Sequence, residues 1–238
     1  MTKKYFLHIP RTSGRSVINQ LHLSGIKIRY SDTHSYNSDI PKFIMYDDEV
    51  LTGHLGASPI MDCAEISAFT IIRNPVDHFR SVISYASIGM SAEDKEKIAK
   101  QMLVGNSKQF PFIRNMQSTF LISRFKILPY EKFNLEFKEW KTWTMARIEA
   151  DILPTNFEQV LNFIKSQNIK IYTIENRNKM IKEVLAFFGI NRTPPNVNIG
   201  KNEIDPFAIE FCAKNYEKIQ EANMIDFELF TKETEAQK

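Results

Sequence analysis

Three short apolar segments recur along the chain, each closed by a turn and followed by apolar residues at helical spacing. Residues 4–9 (KYFLHI), 67–73 (SAFTIIR) and 169–174 (IKIYTI) are mostly apolar runs, the pattern of strands covered on both faces in a parallel sheet. Val17, Leu21 and Leu23 follow the first run, and Val76, Phe79, Val82 and Ile83 follow the second. Met180, Ile181, Val184, Leu185 and Phe188 follow the third. Strand then helix, repeated in this way, predicts βαβ units joined into one sheet. From about residue 91 to 165 the pattern reads as helical, with Phe157, Val160, Leu161 and Ile164 on one face. Residues 205–231 carry Ala208, Phe211, Cys212 and Ile219 at similar spacing. No internal repeat or low-complexity linker interrupts the chain, and Gly105-Asn106-Ser107 and Thr193-Pro194-Pro195 read as loops rather than boundaries. The prediction is one α/β domain over residues 1–238. It has three layers, with a central, mainly parallel sheet flanked by helices and a helical insertion in the middle.

The turns after the first two strands carry the chemistry. The first reads Pro10-Arg11-Thr12-Ser13-Gly14-Arg15-Ser16 and hands a strand over to a helix. Ligands of doubly wound sheets sit beyond the carboxyl ends of the strands, and a helix N-terminus offers unsatisfied amides and a favourable dipole to an anion. Gly14 suits a backbone that closes around an oxyanion, Thr12 and Ser16 add hydroxyls, and Arg11 and Arg15 add charge and forked donors. Phosphate or sulfate is the expected ligand; a plain helix cap by Thr12 or Ser13 is the alternative. The P-loop pattern G-x-x-x-x-G-K-[ST], laid over residues 9–16, finds Gly14 and Ser16. It meets Ile9 where the first Gly belongs and Arg15 where the Lys belongs. The expected fold is still P-loop-like, strand then loop then helix, but the loss of that Gly and Lys makes ATP with magnesium the weaker reading of the ligand. The second turn lies in "FTIIRNPVDHFRSVISYA", residues 69–86. There Arg73 ends a strand, Asn74-Pro75 starts a helix, and Ser81 lies two turns along it.

Composition narrows the setting. With 238 residues, 43% hydrophobic and 25% charged, the chain can bury a full core. A net charge of +3 without any block of like charges gives no reason to expect nucleic acid. No apolar run reaches the ~18 residues of a membrane span, and no signal segment is read at the start. Cys63 and Cys212 lie far apart in apolar contexts and read as buried thiols. A cytoplasmic protein, complete in itself and without a membrane partner, is expected.

On these two motifs the sequence resembles the PAPS-dependent sulfotransferases (PAPS is 3′-phosphoadenosine-5′-phosphosulfate). The closest likeness is to the family of carbohydrate O-sulfotransferases and small bacterial or viral-type enzymes. The family's first loop, close to F-x-H-x-P-K-T-G-G-T-S, is matched by Phe6 to Ser16, and its R-N-P-x-D-R-x-x-S by Arg73 to Ser81. Fainter likenesses run in family order: "LTGHLGAS" at 51–58, "NMQSTFL" at 115–121, "IYTIENRNKMIKEVLAFFGI" at 171–190 and "NVNIGKN" at 196–202. The resemblance implies that residues 11–16 grip the 5′-phosphosulfate while Arg73 and Ser81 hold the 3′-phosphate. PAPS would be the co-substrate and PAP the product, and the acceptor would be a carbohydrate or small molecule. Arg11 stands where the family has Lys, Arg15 where it has Thr, and Ser13 where it has Gly.

Sulfuryl transfer needs a deprotonated acceptor and a stabilised leaving phosphate, and positive side chains and amides can supply the latter without a metal. Arg11 takes that task in charge only, since a guanidinium does not give up its proton. Among five histidines, His54 in the Gly-His segment is the expected base, with His34 in "SDTHSYN" in reserve. His8, within a strand, and His22 and His78, on helices, read as structural or exposed. Glu175, ending the third strand, is a candidate for orienting acceptor or arginine, or for pairing with Arg177 or Lys179. Trp140 and Trp143, near Phe133 and Phe137, read as helix-face packing. A binder of PAPS or PAP without turnover would look the same in sequence.

Overall fold

A computed structural model of the protein describes residues 3–30, 48–62, 65–105, 114–127, 148–191 and 204–237. The central sheet is five-stranded and all parallel. Its strands are β1 (Lys3–Leu7), β2 (Lys27–Tyr30), β3 (Glu49–Gly53), β4 (Ile66–Ile72) and, later in the chain, β7 (Lys170–Thr173). They lie in the order β2-β3-β1-β4-β7. The first strand is therefore central. On one side the chain runs to the edge at β2 and comes back to β3, and it then crosses β1 to add β4 and β7 on the other side. At such a reversal the loops on either side part and leave a crevice at the strands' carboxyl ends.

Alternate residues of the strands feed two cores. Tyr5, Leu7, Ala68 and Ile72 face the larger one, which helices α3 (Pro75–Ala86), α4 (Ala92–Val104), α5 (Met116–Ile122) and α8 (Pro206–Lys214) help to fill. The short helix α2 (Ser58–Asp62) also lends it Ile60. Phe6, Val50, Phe69 and Ile71 face the other core, closed by Val17 and Leu21 of α1 (Gly14–Leu23) and by Met180, Ile181, Val184 and Leu185 of α7 (Arg177–Phe187). Both faces of β1 and β4 are thus apolar, which is why their sequences read as near-continuous rather than alternating runs. The three-layer α/β architecture with a parallel sheet is as expected from the pattern.

Helix starts follow local chemistry. Asn74 Oδ1 accepts from the Val76 and Asp77 amides with Pro75 in the first turn of α3, and Ser91 caps α4 in the same manner. The stretch 91–165 is not wholly helical. Besides α4, α5 and α6 (Phe157–Ser166) it contains a two-stranded antiparallel ribbon of β5 (Phe125–Ile127) and β6 (Ile148–Ala150). Three-residue strands are too short for periodicity to tell them from a turn of helix. The chain ends in α9 (Tyr216–Ala222) and α10 (Met224–Ala236). Cys212 is a buried free thiol, while Cys63, Trp140, Trp143, the 193–195 loop and the 196–202 loop lie outside the described residues. Among the described residues no helix is long and apolar enough to cross a membrane.

Candidate functional site

Because all five strands run the same way, the turns after β1, β3, β4 and β7 gather at one edge of the sheet. Within the first turn, Arg11 and Ser13 both sit in the left-handed region, at φ 66° and 71°. Neither is glycine, and each such residue costs about 1 kcal/mol. Strain of this kind concentrates where a backbone is held for binding. Ser13 precedes α1 without capping it through its side chain. The Thr12 hydroxyl donates instead to the Ile9 carbonyl, 2.8 Å away, so neither residue acts as the plain cap considered from sequence. The amides of Ser16 and Val17 donate to the Ser13 carbonyl. Among the described residues, the amides of residues 12–15 ahead of them have no acceptor.

Gly14 earns its place differently from the sequence expectation. Its φ is not positive; instead, a Cβ there would lie 1.8 Å from Nε2 of His8. The turn thus rests on the His8 imidazole, and only a residue without a side chain lets it close. His8 lies just past the end of β1, buried, with its Nδ1 unpartnered among the described residues. Burial first, then the neighbouring charge of His54 and Arg15, holds its pKa well below the usual imidazole range.

The pairing Leu7↔Gly53 between β1 and β3 brings His8 and His54 side by side, their rings 4.5 Å apart. His54 Nδ1 lies 2.8 Å from the backbone carbonyl of His8. A carbonyl only accepts, so Nδ1 carries the hydrogen and Nε2 is the basic nitrogen of the neutral ring. Nothing in either local sequence foretells this contact; it comes from strand register alone.

The second turn meets the first. Arg11 Nε donates to the Ser81 hydroxyl at 3.1 Å, across 70 residues of chain, and its guanidinium stacks 4.8 Å from the centre of the Tyr85 ring. His78 Nε2, buried, donates to the Pro10 carbonyl at 2.8 Å. Burial pulls its pKa to about 4, so the ring is neutral. His78 stands where the resemblance has Arg, and here it fastens α3 to the first turn.

Arg11 and Arg73 are half-buried and Arg15 is exposed. Among the described residues none of the three has a carboxylate within ion-pair distance. Burial, with repulsion from Arg15 and Arg73, lowers the Arg11 pKa, and burial likewise lowers that of Arg73. Asp77, whose charge draws on Arg73, is ion-paired to Arg80. Glu175 is exposed just beyond β7 and also acts on Arg73. It forms no ion pair with Arg177 or Lys179 among the described residues; Lys179 turns to the Gln237 carbonyl. His34, the reserve base, lies outside the described residues. His22 is exposed on α1.

The structure therefore brings together Arg11 to Ser16, His54, Arg73 and Ser81, with Glu175 at the rim. Sequence reasoning did not anticipate His8 under the turn or Tyr85 beneath Arg11, and it marks Gln117 only as part of the 115–121 likeness, without a role. The Gln117 side chain accepts from the Arg73 amide at 2.8 Å and donates to the Arg73 carbonyl at 2.9 Å. Compared with known proteins, the chain matches no family profile and no curated protein.

Proposed function

We propose that the chain transfers a sulfuryl group from PAPS to a hydroxyl or amine of a carbohydrate or small-molecule acceptor. The observation that carries this reading is the meeting of the two turns, joined by Arg11 and Ser81, with three arginines beside them that form no ion pair with a described carboxylate. A site of that charge suits an anion with two separated phosphate ends better than one with a single cluster.

In the proposed step His54 Nε2 takes the acceptor's proton as the acceptor atom attacks sulfur in line. The bond from sulfur to the 5′-phosphate oxygen breaks, and its electron pair stays on the phosphate of PAP. The open amides of residues 12–15 and the Arg11 charge stabilise that oxygen without donating a proton. Arg73 and Ser81 hold the 3′-phosphate. His54 is kept in the useful tautomer by the His8 carbonyl.

Calorimetry with PAP and with Mg-ATP tests the nucleotide. PAP should bind more tightly, and Arg73→Ala combined with Ser81→Ala should remove the preference; tight Mg-ATP binding would instead favour a P-loop kinase. Labelled PAPS with a panel of acceptors tests turnover, and binding without transfer would mark a PAPS or PAP binder. His54→Ala should slow transfer about 100-fold or more with PAP binding unchanged. A rate near wild type would remove His54 from the mechanism.

A further inference from the structure

Outside the residues that face the proposed ligand, one polar side chain is tied to the site more tightly than packing requires. Gln117 is 1% exposed, and its carboxamide closes on both main-chain groups of Arg73. Arg73 lies just past the end of β4, where the next backbone pairing, Ile174 N–H to the Ile72 carbonyl, passes it by. A side-chain amide that satisfies the N–H and C=O of one residue acts as a stub of neighbouring strand. It keeps Arg73 extended for one residue more before Asn74 turns the chain into α3.

Gln117 is itself held at its other end. Its amide donates to Asp226 Oδ2 at 3.0 Å, and Ser118 gives the same carboxylate its amide and its hydroxyl. Asn115 Oδ1 accepts in return from the Ile225 and Asp226 amides. A line of hydrogen bonds thus runs from the start of α10 through Gln117 to the backbone that aims the Arg73 side chain.

We infer that Gln117 is a positioning residue for Arg73, and that through it the site tells a 3′-phosphorylated adenine nucleotide from one lacking that group. This rests on the sulfuryl-transfer reading, because it takes Arg73 to meet the 3′-phosphate. A carboxamide that merely fastened α5 to β4 would affect stability and leave the choice between nucleotides alone.

The test compares the full chain with Gln117→Met and Gln117→Glu, titrated by calorimetry with PAP and with 5′-AMP, which lacks only the 3′-phosphate. Wild type should prefer PAP by about tenfold or more, the size of one charge-assisted contact. Gln117→Met should bring the ratio to within about threefold with the 5′-AMP affinity unchanged. Gln117→Glu should regain the preference, relative to wild type at the same pH, as the pH is lowered, because a protonated carboxyl again offers an acceptor and a donor. A folded Gln117→Met that keeps the wild-type ratio overturns the inference. Should that variant not fold, a Gln117→Glu ratio that follows wild type at every pH overturns it equally. A wild-type chain with no preference for PAP overturns the transfer reading itself.

Discussion

Helix α1 and helix α5 both start from a residue in the left-handed region, Ser13 at φ 71° and Asn115 at φ 49°, and in neither does that residue's side chain cap the helix. Both lie in stretches that stand out in the sequence, and both present several amides at a dipole's positive end. At α5 the protein supplies its own anion: the Asp226 carboxylate takes the amides of Gln117 and Ser118 and the Ser118 hydroxyl. At α1 no described acceptor takes the amides of residues 12–15, and Arg11 and Arg15 of the same turn, with Arg73 acting on Arg11, form no described ion pair. Buried donors are nearly always satisfied in folded proteins. A terminus filled from within is part of the scaffold, whereas one left open beside arginines without a described ion pair is suited to an outside anion.

Emptying the filled terminus has the largest expected effect. Asp226→Ala leaves two amides and a hydroxyl buried without an acceptor and should destabilise the fold by about 4 kcal/mol in urea unfolding. Loss of under about 1 kcal/mol would mean that the carboxylate does not hold α5. Asp226 also makes a pH signature. Burial is the main cause that raises its pKa to about 6 from 3.8, against the hydrogen bonds that lower it. The folded state thus binds the proton more tightly than the unfolded one. The corresponding stability is fully present below about pH 4 and lost as pH rises through about 6, on the order of 2–3 kcal/mol. His78, with its pKa lowered to about 4, runs the other way, its stability being lost as pH falls from 6.5. The difference between wild type and Asp226→Asn isolates the carboxyl. Wild type should gain on the variant as pH is lowered from about 7 to 4, and a flat difference would show that Asp226 titrates normally.

Closing the open terminus from below is the next test. Gly14→Ala drives a methyl into His8 and should lower stability by about 1–3 kcal/mol, with most of the loss recovered in the double variant with His8→Ala. Recovery of none of it would point to a backbone requirement at Gly14 that its φ does not suggest.

The parts visible in sequence are those that depend on neighbours along the chain. The strands near residues 4, 67 and 170 stand out because both faces are apolar. The faces of α3, α6 and α7 keep helical spacing. The turn residues Arg11 to Ser16 and Arg73 to Ser81 announce themselves by composition. What could not be read depends on register or on short elements. β2 has Ile28 as its one aliphatic residue, and β3 pairs Val50 and Leu51 with Glu49 and Thr52, so neither carries a strand's pattern. The His8–His54 contact exists because Leu7 pairs with Gly53. The Gly14 requirement exists because His8 lies beneath it, not because of its own φ. The stretch 115–121 stands out in sequence, but its partner Asp226 is 108 residues from Ser118, beyond any local pattern.

The smallest expected effect bears most directly on the contrast between the two helices. Ser13→Asp places a carboxylate at the start of α1 in a residue type that tolerates left-handed backbone, and should make the open terminus resemble the filled one. An acidic side chain there, accepting from first-turn amides and set against the dipole, should stabilise the fold by about 0.5–1 kcal/mol. The same charge should compete with any external anion. In thermal melts with added sodium sulfate, a wild type that binds sulfate at α1 gains stability as RT ln(1 + [L]/Kd), while the general salting-out gain is shared by both proteins. The sulfate-dependent rise in Tm should therefore be smaller in Ser13→Asp than in wild type, with sodium chloride at matched ionic strength giving no such gap. If the variant is no more stable and its sulfate response equals that of wild type, the amides of residues 12–15 are not an anion site, and the distinction between the two helix starts loses its functional meaning.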